Sequence, residues 1–312
     1  MSTAPVKMAS PKYLTGDKAA IEAFIDQFDT FLFDCDGVLW SGDHVFEGVP
    51  ETIGLLRARG KRTVFVTNNS TKSRDEYVKK LTALGIPSDV DDVFGSAYSS
   101  AVYISRILQL PADKRKVFVI GEAGVEKELA SEGVAVVGGT DERFRRDITP
   151  ADFAGIADGS LLDPEVGVVL CGLDFHINYL KLAYGLHYLK RGAVFLATNT
   201  DSTLPLHHDL FLGAGSVMVP LANASGQKPL ELGKPSQAMM DAIEGKFHMD
   251  RSRTCMIGDR LNTDIKFGVD GKLGGTLHVE TGVDKKDAWQ KPDAIAVPSF
   301  YVDKLSDLRH EA

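Results

Sequence analysis

Phe31-Leu32-Phe33-Asp34-Cys35-Asp36-Gly37 is the stretch on which the fold and the chemistry both turn. Turn-forming Asp29 and Thr30 precede three apolar residues, which read as a short buried strand. Two carboxylates two residues apart then stand at its C-terminal end. Strand side chains alternate with period two, so Asp34 and Asp36 leave the strand toward the same side. In open α/β sheets that end borders the ligand crevice. Two like charges held together need a cation between them or different protonation states. A divalent metal, with one nucleophilic and one proton-carrying carboxylate, satisfies that demand. Calcium loops also contain Asp-x-Asp-Gly, but they need further oxygen ligands out to about position twelve. Here the chain continues Val38-Leu39-Trp40, so the calcium reading fails.

The chain's 312 residues suggest about two domains, with ample length for a sizeable core. Hydrophobic content of 44% and charged content of 25% are ordinary for a globular protein. A formal net charge of −8 argues against nucleic acid or an anionic membrane surface as partner. It also means that a site for an anionic substrate must create its own positive potential. Cys35, Cys171 and Cys255 each lie in or beside an apolar run, the pattern of reduced structural thiols and of a cytoplasmic protein. Residues 1–14 lack the apolar core of a secretory signal and are expected, with the domain starting near residue 21, to form a loose tail. No stretch approaches the ~20 apolar residues of a membrane span.

Apolar strand-like runs alternate with helix-like segments, which predicts a parallel sheet covered by helices. Strands are expected at 31–33, 63–66, 117–120, 166–170, 193–196 and 254–257, with helices over 51–59 and after Ser70-Thr71. Two strands end in Thr-Asn. Thr67-Asn68 closes the strand one βαβ unit after Asp34, so those ends should be neighbours. Thr198-Asn199 reads instead as a structural turn. His207-His208 has no partner pattern for a metal and reads as surface.

Three further elements carry chemistry. Thr67-Asn68-Asn69-Ser70 offers a hydroxyl and backbone N–H groups suited to phosphoryl oxygens. Gly233-Lys234-Pro235-Ser236 places a lysine before a proline able to start a helix. Met256-Ile257-Gly258-Asp259 ends another apolar strand with an acid and leads to Asp264 near a helix start, where the dipole favours an anion. Asp34 and Asp259 can ligate a hard cation while leaving positions for phosphate oxygen and water, as Mg²⁺ prefers. Lys234 can neutralise the remaining anionic charge.

Asp34-x-Asp36-Gly37, Thr67-Asn68, Lys234 and Gly258-Asp259-x-x-x-x-Asp264 resemble the four motifs of the haloacid dehalogenase-like phosphatases. The longer strings around them, such as Val66-Thr67-Asn68-Asn69-Ser70-Thr71, resemble the branch of eukaryotic phosphoglycolate phosphatases, fungal para-nitrophenyl phosphatases and pyridoxal phosphate phosphatase. The resemblance implies a doubly wound, Rossmann-like parallel-sheet core with an inserted α/β cap. It implies that Asp34 attacks phosphorus and that Asp36 protonates the leaving oxygen, then activates water. Mg²⁺ would be held by Asp34, the Asp36 carbonyl and Asp259, with Asp264 orienting Lys234 or a metal-bound water. Gly37, Thr67, Asn68, Asn69 and Lys234 would contact the substrate, Lys234 also stabilising transferring charge. The implied substrate is a small phosphorylated metabolite, 2-phosphoglycolate before pyridoxal 5′-phosphate, with 4-nitrophenyl phosphate as an artificial one.

Spacing supports the cap independently. Asp34 and Thr67 are 33 residues apart, one βαβ unit, whereas Thr67 and Lys234 are 167 apart. A second α/β domain is therefore expected at about 101–205, with the core formed by 21–100 and 206–312. Mutases of the superfamily carry their cap between the first two motifs, where this chain has no room. The resemblance implies a homodimer through the cap and a substrate-reading loop over residues 172–178. There Asp174 and His176 match the relatives' pattern, while Phe175 and Ile177 depart from it. A phosphate-accepting signalling receiver, the reading from another class, lacks an acid at the position of Asp36.

Overall fold

The computed structural model describes residues 10–206 and 209–309, so His207-His208 and the first nine residues lie outside it. The chain forms two compact units, one running to Val64 and resuming at His248, the other spanning Phe65–Phe247.

In the first unit, parallel strands follow the order Lys12–Tyr13, Phe300–Val302, Gly275–Val279, Thr254–Gly258 and Thr30–Phe33. Every residue of Thr30–Phe33 is buried, as a strand covered on both faces requires. Register places Phe33 opposite Ile257, and the Asp34 N–H donates to the Ile257 carbonyl at 2.9 Å. Asp34 and Asp259 therefore emerge at adjacent strand ends. Phe24, Phe28, Phe31 and Phe300 make edge and tilted ring contacts beneath this sheet, each fully buried ring contributing on the order of 2–3 kcal/mol.

The expected loose tail is ordered from Lys12. Tyr13 lies 4.8 Å from Tyr301, ring to ring, and Leu14 is fully buried. Asp17 then caps the helix Lys18–Gln27 by accepting from the Ala20 N–H. The apolar pair 13–14 was too short to read as an element; strand partners almost 290 residues away give it one.

The strand Arg62–Thr67 starts in the first unit. Its end in the second, Phe65–Thr67, pairs in parallel with Val93–Gly95. The second unit also holds a five-stranded parallel sheet, ordered Leu230–Glu231, Val194–Ala197, Val166–Cys171, Lys116–Ile120, Val136–Gly138. Phe118, Ile120, Val169, Cys171 and Phe195 pack on one face, and Val117, Val119, Val168, Leu170 and Leu196 on the other. That period-two division explains why these strands read as unbroken apolar runs. This sheet lies between Thr67 and Lys234 in sequence, as the spacing required.

The α/β class with parallel sheets is as expected, and all six expected strands form within a residue or two of their predicted ends. Val93–Gly95, Val136–Gly138, Gly275–Val279 and Phe300–Val302 were not anticipated, being short or interrupted by glycine, threonine and histidine. Among the described residues no helix is long and apolar enough to cross a membrane.

Candidate active site

In the first unit, Asp34, Asp259 and Asp264 each offer an oxygen, and these atoms all lie within 4.8 Å of one another. Asp34 is half-buried, whereas Asp259 and Asp264 are almost fully enclosed. Burial, with Asp264 and Asp34 alongside, pushes the Asp259 carboxyl well above the usual carboxylate range. Asp259 Oδ2 accepts from the Val283 N–H at 2.6 Å, while its buried Oδ1 has no hydrogen-bond partner among the described residues. An enclosed oxygen without a donor, on a carboxylate clustered with two more acids, fits a hard divalent cation held by oxygen ligands.

The backbone makes room for this cluster. Gly37 sits at φ +88°, and a Cβ there would lie 2.6 Å from Asp259 Oδ2. At Gly282 a Cβ would lie 1.8 Å from the same oxygen. Thr281 ties the two segments together, its hydroxyl donating to the Gly37 carbonyl at 2.6 Å. Asp264 rides on a π-turn, Leu261–Ile265, and its Oδ2 accepts from the Asp259 and Arg260 N–H groups at 3.2 and 3.1 Å. It thus shapes the Asp259 turn as well as adding charge. Asp284 Oδ2 accepts from the Leu261 N–H at 2.7 Å and helps start the π-turn. Residues 281–284 escaped sequence reasoning. Their only local signal was the Thr281-Gly282 pair, which follows Glu280 and the interrupted strand ending at Val279.

Asp36 stands apart from the three clustered acids in environment. It is half-exposed, and Trp40 Nε1 donates to its Oδ1 at 2.8 Å. The Gly37 N–H donates to the Trp40 carbonyl at 2.7 Å and closes the turn between them. One oxygen held by an indole leaves the other to carry a proton, as an acid/base group requires.

In the second unit, Thr67, Asn68 and Lys234 come together. The Asn68 amide group donates to the Lys234 carbonyl at 3.0 Å and accepts from the Lys234 N–H at 2.8 Å. Lys234 is 2% exposed, and its Nζ donates to the Val66 carbonyl at 2.8 Å. The Asn68 side chain therefore pins the lysine, leaving its backbone N–H for the role implied by sequence. Thr67 Oγ1 accepts from the Asn69 N–H at 3.1 Å. Asn69 Oδ1 accepts from the Thr71 N–H and hydroxyl, so that side chain is spent shaping the loop. Thr198 hydrogen-bonds Ser70 and Asn199 and is fully buried, in keeping with a structural turn.

The loop over 172–178 departs from expectation at one residue. The Asp174 carboxylate is buried, its Oδ2 accepting from Lys181 Nζ at 2.6 Å and its Oδ1 from the His176 N–H at 2.8 Å. Both oxygens are occupied inside the unit, which removes Asp174 as a direct substrate contact. Nothing in the sequence of the loop marked Lys181, seven residues on, as the partner of Asp174. Phe175 and His176 are exposed.

Comparison with known proteins follows the same lines. A family model described as haloacid dehalogenase-like hydrolase matches residues 31–135, and a second HAD-hydrolase-like model matches 231–308. The chain is 47% identical to a 4-nitrophenylphosphatase of Schizosaccharomyces pombe, over 98% of this chain and 99% of the relative. It is 43% identical to chloroplastic phosphoglycolate phosphatase 1A of Arabidopsis thaliana, over 92% of this chain and 78% of the relative. Among solved structures, glycerol phosphate phosphatase from Mycobacterium tuberculosis in complex with magnesium superposes with a TM-score of 0.75 at 28% identity. That match covers 92% of this chain and 78% of that one. The strand-end acids, the pinned lysine and these likenesses agree: the chain belongs to the haloacid dehalogenase-like hydrolases, within their phosphatase branch.

Proposed function

We propose that this protein is a Mg²⁺-dependent phosphomonoesterase of small metabolites, acting through an aspartyl-phosphate on Asp34, with 2-phosphoglycolate as its preferred substrate. The observation that carries the reading is the cluster Asp34–Asp259–Asp264 with the unpartnered Asp259 oxygen. Mg²⁺ would be held by Asp34, the Asp36 carbonyl and Asp259, and would supply positive charge against the phosphoryl oxygens.

An Asp34 oxygen attacks phosphorus as the bond to the leaving oxygen breaks, and Asp36 gives that oxygen its proton. Asp36, now a carboxylate, takes a proton from the water that attacks the phosphoryl group, which releases phosphate and restores Asp34. Thr67, the Asn68 backbone N–H and Gly37 bind phosphoryl oxygens, while Lys234 stabilises charge during transfer. Asn69, whose N–H donates to Thr67 Oγ1, shapes the loop that presents them. Phosphate monoester hydrolysis is so slow uncatalysed that accelerations reach ~10²¹, which makes such dense electrostatics intelligible. The inserted stretch, placed from sequence at about 101–205, is the cap in this reading, its sheet taking a further edge strand from Leu230–Glu231, and His176 with Phe175 reads the substrate. The buried free cysteines support a cytoplasmic location.

Comparing kcat/KM for 2-phosphoglycolate, glycerol 3-phosphate and pyridoxal 5′-phosphate, with Asp34→Asn as blank, tests the reading. Preference for 2-phosphoglycolate beyond about tenfold, ~1.4 kcal/mol of transition-state binding, supports it. Preference for glycerol 3-phosphate favours the second reading, which rests on the glycerol phosphate phosphatase among the structural relatives.

A homodimer is part of the proposal. An apolar cavity of about 280 Å³ opens between helices of the second unit, lined by Phe153, Ile156, Tyr179, Leu186, Pro220 and Leu221. Phe153 and Tyr179 are each more than half exposed, as unpartnered interface residues would be. Sedimentation of Tyr179→Glu beside the wild type tests it, with a monomer expected for the variant.

A further inference from the structure

We infer that Lys181 is a positioning residue for substrate selection, holding residues 172–178 in the shape that presents Phe175 and His176. This rests on the reading of that loop as the substrate-reading element. Lys181 and Asp174 both have side chains without solvent exposure, paired at 2.6 Å. Lysine is among the residues least often buried, and a charged pair in the interior can be replaced by apolar groups without loss of stability. Lys181 also occupies the first turn of the helix Tyr179–Lys190, where the dipole disfavours a cation. Stability alone does not call for a lysine there.

The pair acts on the loop. Anchored through Oδ2, Asp174 turns Oδ1 to the His176 N–H at 2.8 Å. The preceding N–H is held in the same way. Phe175 donates to Glu122 Oε1 at 2.9 Å, and Arg145 faces the other Glu122 oxygen at 3.5 Å. Asn178 closes the loop, its Oδ1 accepting from the Lys181 N–H at 2.9 Å and its amide donating to the Phe144 carbonyl at 2.7 Å. Two consecutive backbone donors are thus fixed by carboxylates, each oriented by a cation, while the two side chains between them face outward. Phe175 is 61% exposed.

The test is the double variant Lys181→Met/Asp174→Asn, which keeps an acceptor at position 174 and leaves no buried charge, examined beside Asp174→Glu, which keeps the pair but lengthens one arm. Thermal unfolding, amide hydrogen exchange at His176, and KM and kcat for 2-phosphoglycolate and 4-nitrophenyl phosphate are measured in the full chain. The expected result for the double variant is an unfolding temperature near wild type with His176 exchange faster by tenfold or more. KM for 2-phosphoglycolate should rise at least tenfold, with kcat for 4-nitrophenyl phosphate changed less than threefold. Asp174→Glu should move exchange and KM in the same direction by less. Wild-type exchange and KM in folded variants would make the pair merely structural and overturn the inference. If the wild type hydrolyses neither ester, the proposed function fails, and the exchange measurement still decides whether Lys181 positions the loop.

Discussion

Replacing Gly282 with alanine tests the geometry of the acidic cluster without touching any acid. The new Cβ would stand 1.8 Å from Asp259 Oδ2 and 2.2 Å from its Cγ. Ordinary contact begins near 3.4 Å, so the Asp259 side chain or the 281–284 segment must shift by about 1.6 Å. A shift of that size breaks the 2.6 Å bond from the Val283 N–H, a charge-assisted hydrogen bond worth about 1.5–3 kcal/mol. A misplacement of ~1 Å can cost ~10²-fold in rate, and loss of a ligand's support typically costs 10–100-fold in metal affinity. Turnover of 4-nitrophenyl phosphate should therefore fall about 100-fold, and the Mg²⁺ concentration for half-maximal rate should rise about 10–100-fold. Circular dichroism should show a folded protein. Gly54→Ala is the control. It lies exposed within the helix Val49–Ala58 with nothing within 4 Å of the added carbon, and it should gain about 0.5–1 kcal/mol with unchanged activity. If Gly282→Ala keeps a kcat within threefold of wild type and an unchanged Mg²⁺ requirement, Asp259 is not the constrained ligand argued here.

Asp34→Asn should abolish turnover while leaving the fold intact; an active, correctly folded variant would remove Asp34 as nucleophile. Asn68→Ala deletes both side-chain bonds to the Lys234 backbone, and a loss of about 1–3 kcal/mol with a much lower kcat is expected in chemical denaturation and steady-state assays. His278 is fully buried beside Trp289 with its pKa lowered to about 4 by desolvation, the Asp284 carbonyl being its near neighbour. The folded protein then binds fewer protons than the unfolded chain between pH 6.5 and 4. Stability should fall by up to about 3 kcal/mol as pH drops through that window, a slope that His278→Gln should flatten in pH-dependent melting. Burial raises the Cys171 and Cys255 thiols, so alkylation by iodoacetamide should be negligible in the native protein and reach three equivalents on denaturation.

The α/β alternation, the strand ends and the identity of the acidic and basic groups were legible in the sequence because each leaves a local mark. A strand buried on both faces must be a run of apolar residues, and a carboxylate following such a run is conspicuous. Spacing alone also required a second α/β sheet between Thr67 and Lys234. Local marks end where function depends on partners distant in the chain. Nothing around Asn68 signalled that its side chain would be paired with a backbone 166 residues away. Asp174 looked like a loop acid awaiting substrate until Lys181 proved to be its buried counter-ion. Gly282 is an ordinary glycine in sequence, and only the fold brings Asp259 within 1.8 Å of where its side chain would begin. Residue chemistry thus determined what the protein can do. Tertiary packing decided which of those residues remain available to do it, because desolvation and steric room arise between segments rather than within them.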